Sequence, residues 1–313
     1  MSLINNQIAR LSESIKLNAI QLGFLACGIS KAAHLAEAEQ KMEKWLADGK
    51  HGEMAYLERN REKRYNPVLL VEEAKSVITV LYNYYPKERL ETSDNFQISK
   101  YAYGKDYHYI IKEKLGLLLE KIEATTGKRK ARLFVDSAPV LDRSWAQKSG
   151  LGFIGKNTLL INRKTGSFFF IGHIILDLEL DYEESDPANY CGSCTECIDA
   201  CPTGALEAFE VDARKCISYL TIEYRENALP EDLKGKFNNW IFGCDICQDV
   251  CPWNRFSKSH NEVLFGLTRD LKTMRKVDWD QLDKPKFKQI FKGTAVERTG
   301  FKGLKRNIDF LKD

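Results

Sequence analysis

Within Leu3–Leu22, apolar residues recur at Ile4, Ile8, Leu11, Ile15 and Ala19, the spacing that turns one face of a helix toward a core. The apolar run Phe24–Cys27 predicts a short buried strand. Helical spacing returns over Lys31–Asp48, and Gly49 ends it. The β-rich run Val77–Tyr82 closes at Pro86. Tyr107–Thr126 predicts a long helix stopped by Gly127, and Arg132–Val135 predicts a strand that delivers Asp136 at its end. Thr158–Asn162 and Phe168–Leu178 flank the connection Arg163-Lys164-Thr165-Gly166, which predicts a β-hairpin. Strands and helices mix in this way through the first 185 residues, an α/β layer arrangement. The acidic stretch Asp181–Asn189, with its single proline, marks a boundary.

The same pattern excludes several classes. The longest nearly apolar run, Phe168–Leu176, is far short of the roughly 20 residues of a membrane span. Met1–Arg10 lacks the basic flank and apolar core of an export signal. We expect a soluble, cytoplasmic chain, and its 313 residues suit about two domains.

Composition adds one anomaly. Nine cysteines are many for a reducing compartment, and all but Cys27 lie between Cys191 and Cys251. Such clustering favours metal or redox chemistry over disulfides. The first run, Cys191-x2-Cys194-x2-Cys197-x3-Cys201-Pro202, has the spacing of a two-cluster bacterial ferredoxin, whose fourth cysteine serves the other cube. The second, Cys244-x2-Cys247-x3-Cys251-Pro252, lacks its leading cysteine, and Cys216 replaces it. This assigns one 4Fe–4S cluster to Cys191, Cys194, Cys197 and Cys251, and the other to Cys201, Cys216, Cys244 and Cys247. Zinc also binds four cysteines, but the recurring Cys-Pro pair and the interleaved ligands favour clusters. Cys27 is expected to be a small buried hydrophobe.

An electron carrier could be far shorter, so the rest of the chain implies a reaction domain. Its densest motif runs from Phe134 through Asp136 and Arg143 to Gly150, Gly152, Gly155, Lys156 and Asn157. Asp136 at a strand end is where such folds present site residues, although a helix N-cap has the same local signature. The glycines admit close approach of a large ligand or make an ordinary turn. Lys156 and Asn157 supply donors for a polar edge. The motif has neither Walker A nor Rossmann spacing.

The segments FVDSAPVLDRSWAQKSGLGFIGKNTLLI, CISYLTIEYR and FKGTAVERTGFKGLKRNI, with the paired cluster motifs, resemble the epoxyqueuosine reductase family over nearly the whole chain. The resemblance implies a nitroreductase-like cobalamin-binding domain of α/β (α+β) class, related in fold to reductive dehalogenases. It also implies a cobalamin-dependent oxidoreductase that reduces the epoxide of a modified tRNA wobble nucleoside to an alkene, the last step of queuosine synthesis. Cobalamin would lie between clusters and substrate. Asp136 would be the proton donor, its pKa raised by burial beside the corrin.

The resemblance places further residues near the cofactor. Tyr101, Tyr103, Asp106 and His108 fall in a block whose aromatics would stack on corrin or base, or equally form a helix start with buried tyrosines. Arg143, Lys156 and Asn157 would contact cofactor or tRNA, and Ser218, Tyr219 and Thr221 would line the cobalamin side of a cluster ligand. Where the family pattern has Gly-Glu-Ile, this chain has Gly172-His173-Ile174; a satisfied core histidine is favoured there over a cobalt ligand. Three parts result: residues 1–185 as reaction domain, 186–255 as cluster module, and 256–313 as a basic segment facing tRNA, without the long helical-repeat domain of some members.

Charge agrees with a nucleic-acid partner. From Arg255 to Asp313 there are 15 Lys and Arg against 8 Asp and Glu, which suits either a polyanion or a solvated helical surface. Arg269, Lys272, Arg275, Lys276, Lys284, Lys286, Lys288 and Lys292 lie among Trp279, Phe287 and Phe291. The expected partners are tRNA and a reductant such as a flavodoxin or ferredoxin system, with the chain a monomer. Two other functions fit the motifs alone: a dehalogenase-like reductase of a small molecule, and a redox carrier without its own substrate. A zinc-stabilised RNA-binding module is a third.

Overall fold

Two eight-residue apolar runs, Ser76–Asn83 and Phe169–Leu176, are buried at nearly every position. Only the middle of a sheet covers both faces of a strand in this way. In the computed structural model, which describes residues 3–91, 93–186 and 188–312, they pair antiparallel at the centre of a four-stranded sheet. Ala26–Lys31 adds to the outer edge of the first run and Ala131–Phe134 to that of the second, both antiparallel. Met1, Ser2, Thr92, Pro187 and Asp313, with the side chains of Leu3 and Ile4, lie outside the described residues.

Alternation along the central strands sorts side chains into two layers. Phe170, Ile174 and Leu176, with Ile78 and Val80, pack on the helices Leu3–Gln21 and Tyr107–Thr126 through Ile15, Ala19, Ile111 and Leu115. Gly172 admits that second helix, since a Cβ there would lie 3.0 Å from Ile111 and 3.1 Å from Leu115. Val77, Phe134 and Ile175 face the opposite way, onto Trp145 of the helix Asp142–Lys148. The sheet is wholly antiparallel, so the α+β form of the expected class describes it.

Three local expectations change. The first strand starts at Ala26 rather than Phe24, because Gly23 turns the chain with φ +91°. It runs on to Lys31, so the next helix is Ala36–Ala47 and not one beginning at Lys31. The 158–178 hairpin does not form: Leu160–Ile161 pairs with Phe153–Ile154, because both edges of Phe169–Leu176 are already occupied.

A second core joins distant segments. Phe96, Ile98 and Tyr103 pack with Ile241, Phe242, Trp279, Phe287, Phe291 and Leu304, and Gln97–Ile98 pairs parallel with Trp240–Phe242. Trp279 and Phe291 are therefore buried packing residues and not base-stacking platforms on the surface. Of the basic side chains, Lys272 and Arg275 are paired with Glu88 and Glu91, whereas Lys284, Lys286, Lys288 and Lys292 are exposed. Among the described residues no helix is long and apolar enough to cross a membrane.

Candidate active site and cysteine module

The strand Ala131–Phe134 ends in a bend where Asp136 takes the left-handed backbone, φ +53°, a conformation aspartate tolerates better than most residues. Tyr107 Oη donates to its Oδ2 at 2.5 Å. His108 Nε2 lies 3.6 Å and Arg298 Nη1 3.8 Å from the same oxygen. The Asp136 side chain is 54% exposed, yet crowding by surrounding atoms is the largest influence on its charge. Tyr107, His108 and Arg298 flank the open carboxyl, with Tyr56 and Glu223 in electrostatic reach of Arg298, and these side chains form a candidate recess. Arg143 lies in electrostatic reach of Asp142 and, more weakly, of the same carboxyl, and its Nη1 donates to Thr158 Oγ1 at 3.1 Å.

The charge state differs from the sequence expectation. Burial acts to raise the Asp136 pKa, but His108, Tyr107 and Arg298 outweigh it and hold the carboxyl below its ordinary value. Burial likewise pulls His108 down, while Asp106 and Asp136 prevail and hold it up to about 9. The resting pair is a carboxylate beside an imidazolium. Asp106 caps the helix Tyr107–Thr126 by accepting from the His108 amide at 3.0 Å, and it also meets His108 Nδ1 at 2.6 Å. It therefore acts on the recess through His108.

In the module, Cys197 shares its electrostatic surroundings with Cys191, Cys194 and Cys251. Cys244 is influenced by Cys216 and Cys201, and Cys247 by Cys244 and Cys216. All eight are free thiols. The first set lines a cavity of about 200 Å³ beside Lys156, Tyr190 and Trp253, a wider space than one ion with metal–sulfur bonds of about 2.3 Å needs. Among the described residues no three His, Cys, Asp or Glu converge as on a single metal ion. Crowding by surrounding atoms pushes the Cys216, Cys244 and Cys247 thiols up, so the second set lies deeper in the fold, although Cys197 of the first is the least accessible of the eight. Backbone amides of Ser218 and Tyr219 point at Cys216, and the Lys156 amide donates to Cys191 Sγ at 3.4 Å. Thiolate donors with amide support suit iron–sulfur cubes.

Several residues expected at the cofactor have hydrogen-bond partners within the protein. Lys156 Nζ donates to the Gly192 and Cys194 carbonyls at 2.8 and 2.9 Å, and Asn157 Nδ2 to the Cys247 carbonyl at 3.3 Å; both brace the cysteine loops instead of reaching Asp136. Tyr103 is buried in the second core, where its hydroxyl accepts from the Leu90 amide at 3.4 Å. Tyr219 Oη accepts from the Glu53 amide at 2.7 Å. Thr221 Oγ1 donates to the Ile217 carbonyl at 2.7 Å and accepts from the Gly243 amide at 2.9 Å. These two hydroxyls are consumed by packing, which leaves Ser218 half-buried on the helix Ile217–Ile222.

His173 is fully buried, with Nδ1 3.0 Å from Thr79 Oγ1 and Nε2 3.1 Å from Asp142 Oδ1. Both ring nitrogens are engaged, as for a satisfied core histidine. Cys27 is half-buried beside the first core, its thiol pushed up to about 12 by burial. Tyr107 and Arg298 were not singled out by sequence. Tyr107 lies between Asp106 and His108, and Arg298 lies within FKGTAVERTGFKGLKRNI, 162 residues beyond Asp136, so neither residue's place beside the carboxyl shows in local sequence.

A paired-thiol module set against a recess with a carboxyl, an imidazole and two guanidinium groups defines an iron–sulfur oxidoreductase on an α+β scaffold. Residues 190–254 match the family model described as 4Fe-4S double cluster binding domain, and residues 64–137 that described as Epoxyqueuosine reductase QueG, DUF1730. The chain is 54% identical to the epoxyqueuosine reductase of Cellulophaga algicola, covering 96% of this chain and 98% of that one. It is 39% identical to that of Escherichia coli, covering 96% and 80%. The chain belongs to the epoxyqueuosine reductase family.

Solved structures agree. An epoxyqueuosine reductase with an epoxyqueuosine-modified tRNA-Tyr stem loop superposes with TM-score 0.87 at 27% identity, over 96% of this chain and 80% of that one. The Bacillus subtilis enzyme, with its catalytic aspartate loop swung out of the active site, gives 0.85 at 26% identity, over 96% and 81%.

Proposed function

We propose that this chain reduces epoxyqueuosine to queuosine in the anticodon loop of tRNA in the cytoplasm, taking electrons from a small redox protein. Residues 1–185 would carry the reaction, 186–255 the two clusters, and 256–313 the tRNA-facing surface. Cysteines 191, 194, 197 and 251 would hold the outer 4Fe–4S cluster, and 201, 216, 244 and 247 the inner one. The observation that carries this reading is a packed path from the inner thiols to the carboxyl. The ring of Phe242, two residues before Cys244, meets the Tyr101 ring with centroids 6.1 Å apart. The Tyr101 and Tyr107 rings meet at 6.1 Å, and Tyr107 binds Asp136.

The recess suits cobalamin. It offers the cations Arg143 and Arg298 for amide or phosphate oxygens, beside the buried His108 Nε2, which makes no hydrogen bond and has the Asp136 carboxylate at 3.6 Å as its charge partner. Bound there, cobalamin would supply a low-valent cobalt able to accept electrons singly and reduce the substrate. Epoxide-to-alkene conversion takes two electrons and two protons and releases the oxygen as water. Asp136 would protonate the leaving oxygen. Because it rests as a carboxylate, its proton must be loaded, and the His108 imidazolium is the adjacent acid. Asp106 and Tyr107 orient that pair.

Anaerobic turnover of epoxyqueuosine-containing tRNA, with and without cobalamin, tests the reading. Conversion only with cobalamin supports it; no conversion with both clusters loaded overturns it.

A further inference from the structure

Lys100 is a lysine whose side chain is only 5% exposed. Its Nζ donates to Asp249 Oδ1 and Oδ2 at 2.7 and 2.8 Å and to Asp245 Oδ2 at 3.2 Å. Its own amide donates to Asp245 Oδ2 at 2.8 Å. Asp245, 3% exposed, stands between Cys244 and Cys247 in sequence and acts electrostatically on both. The residue after Lys100 is Tyr101, the first ring of the path toward Asp136. The ammonium is thus inserted from the reaction side into the loop that carries two inner thiols, with its Nζ 5.2 Å from the Phe168 ring.

Buried ion pairs are weak sources of stability, because desolvation offsets much of their attraction. A fixed charge beside a redox centre has a different effect. Adding an electron makes a cluster more negative, so a nearby cation favours the reduced form and a nearby carboxylate opposes it.

We propose that Lys100 is a positioning residue that seats the Cys244–Cys247 loop against Tyr101 and, through its charge, sets the reduction potential of the inner cluster. The inference rests on the ligand assignment proposed above. One ammonium here meets two carboxylates, so the balance shifts in opposite directions when either side is removed. A role in packing alone would not give opposite signs.

The test is an anaerobic redox titration of the reconstituted enzyme followed by electron paramagnetic resonance, on the parent, Lys100→Met, Lys100→Arg and Asp249→Asn. At a poise near the parent midpoint, Lys100→Met should lower the reduced-to-oxidised ratio of the inner cluster about tenfold, equivalent to about 59 mV for one electron. Asp249→Asn should raise the ratio, Lys100→Arg should restore it to within about twofold, and the outer cluster should not move. An inner midpoint unchanged in Asp249→Asn, or displaced in the same direction in both charge variants, overturns the proposal. Should Lys100→Met fail to load the inner cluster, Asp249→Asn and Lys100→Arg decide by the same criteria. A parent that loads one cluster instead of two removes the ligand assignment itself, a failure visible in iron content before any titration.

Discussion

Tyr107 ties Asp136 to the sheet: its hydroxyl donates to the carboxylate at 2.5 Å while its ring stacks on Phe170 with centroids 4.0 Å apart and planes at 7°. The carboxyl is exposed to the recess, but its anchor belongs to the core. A replacement at 136 should therefore change chemistry more than fold. Asp136→Asn should lower turnover by about 10²-fold or more, the usual scale for a lost general acid, with iron content and cluster spectra unchanged. Full activity in that variant would remove Asp136 from the reaction.

The imidazolium–carboxylate pair gives a signed pH dependence. His108 is raised to about 9, so its contribution to stability is complete below its unfolded pKa of about 6.5 and is lost as pH rises through about 9. Asp136 is lowered, so its contribution is present above about 3.8 and lost in more acid solution. The difference in Tm between the parent and His108→Gln should be largest between about pH 4 and 6.5 and should shrink toward pH 9. A difference that grows over that upper range would contradict the assignment.

On the exposed helix Lys284–Phe291 and just beyond it, changing Lys284, Lys286, Lys288 and Lys292 to Glu should raise the KM for tRNA. It should also flatten the dependence of binding on salt, since each lost phosphate contact removes released counterions. Cluster spectra should not change. Unaltered tRNA affinity would exclude this face from the interface.

His173→Leu should destabilise the chain by about 1–3 kcal/mol, because Asp142 and Thr79 would lose a buried partner. Chemical denaturation measures this directly. Cobalamin affinity measured alongside should stay at the parent value, as expected for a residue whose two ring nitrogens are already engaged.

What could be read from sequence was what short-range chemistry determines. The helix Tyr107–Thr126 was legible to the residue because Asp106 caps it and Gly127 ends it with φ +77°. The double-cluster module over residues 190–254 was legible because cysteine spacings of two and three residues before a proline are its local signature. The 158–178 hairpin was misread because pairing of Phe169–Leu176 is decided by strands 86 and 45 residues away in register, at Asn83 and Ala131. The direction of the Asp136 pKa in the protein alone likewise depends on distant segments. Burial alone raises a carboxyl, and its direction reversed only once His108 and Arg298 arrived from other segments. Lys156 and Asn157 were identified as polar donors, but their targets, the cysteine-loop carbonyls, depend on how the module folds back on the sheet.

The interleaving of the thiol sets bears on how such a protein matures. Cys251 closes the outer set across the stretch that supplies Cys201, Cys216, Cys244 and Cys247 to the inner one, so with this assignment the outer cube is a clasp on the loop that holds the inner one. Oxygen reaching the open cavity at Cys191, Cys194, Cys197 and Cys251 would then loosen more than one cofactor. Damage at the accessible end would unfasten the protected end as well, and repair would have to rebuild the two together.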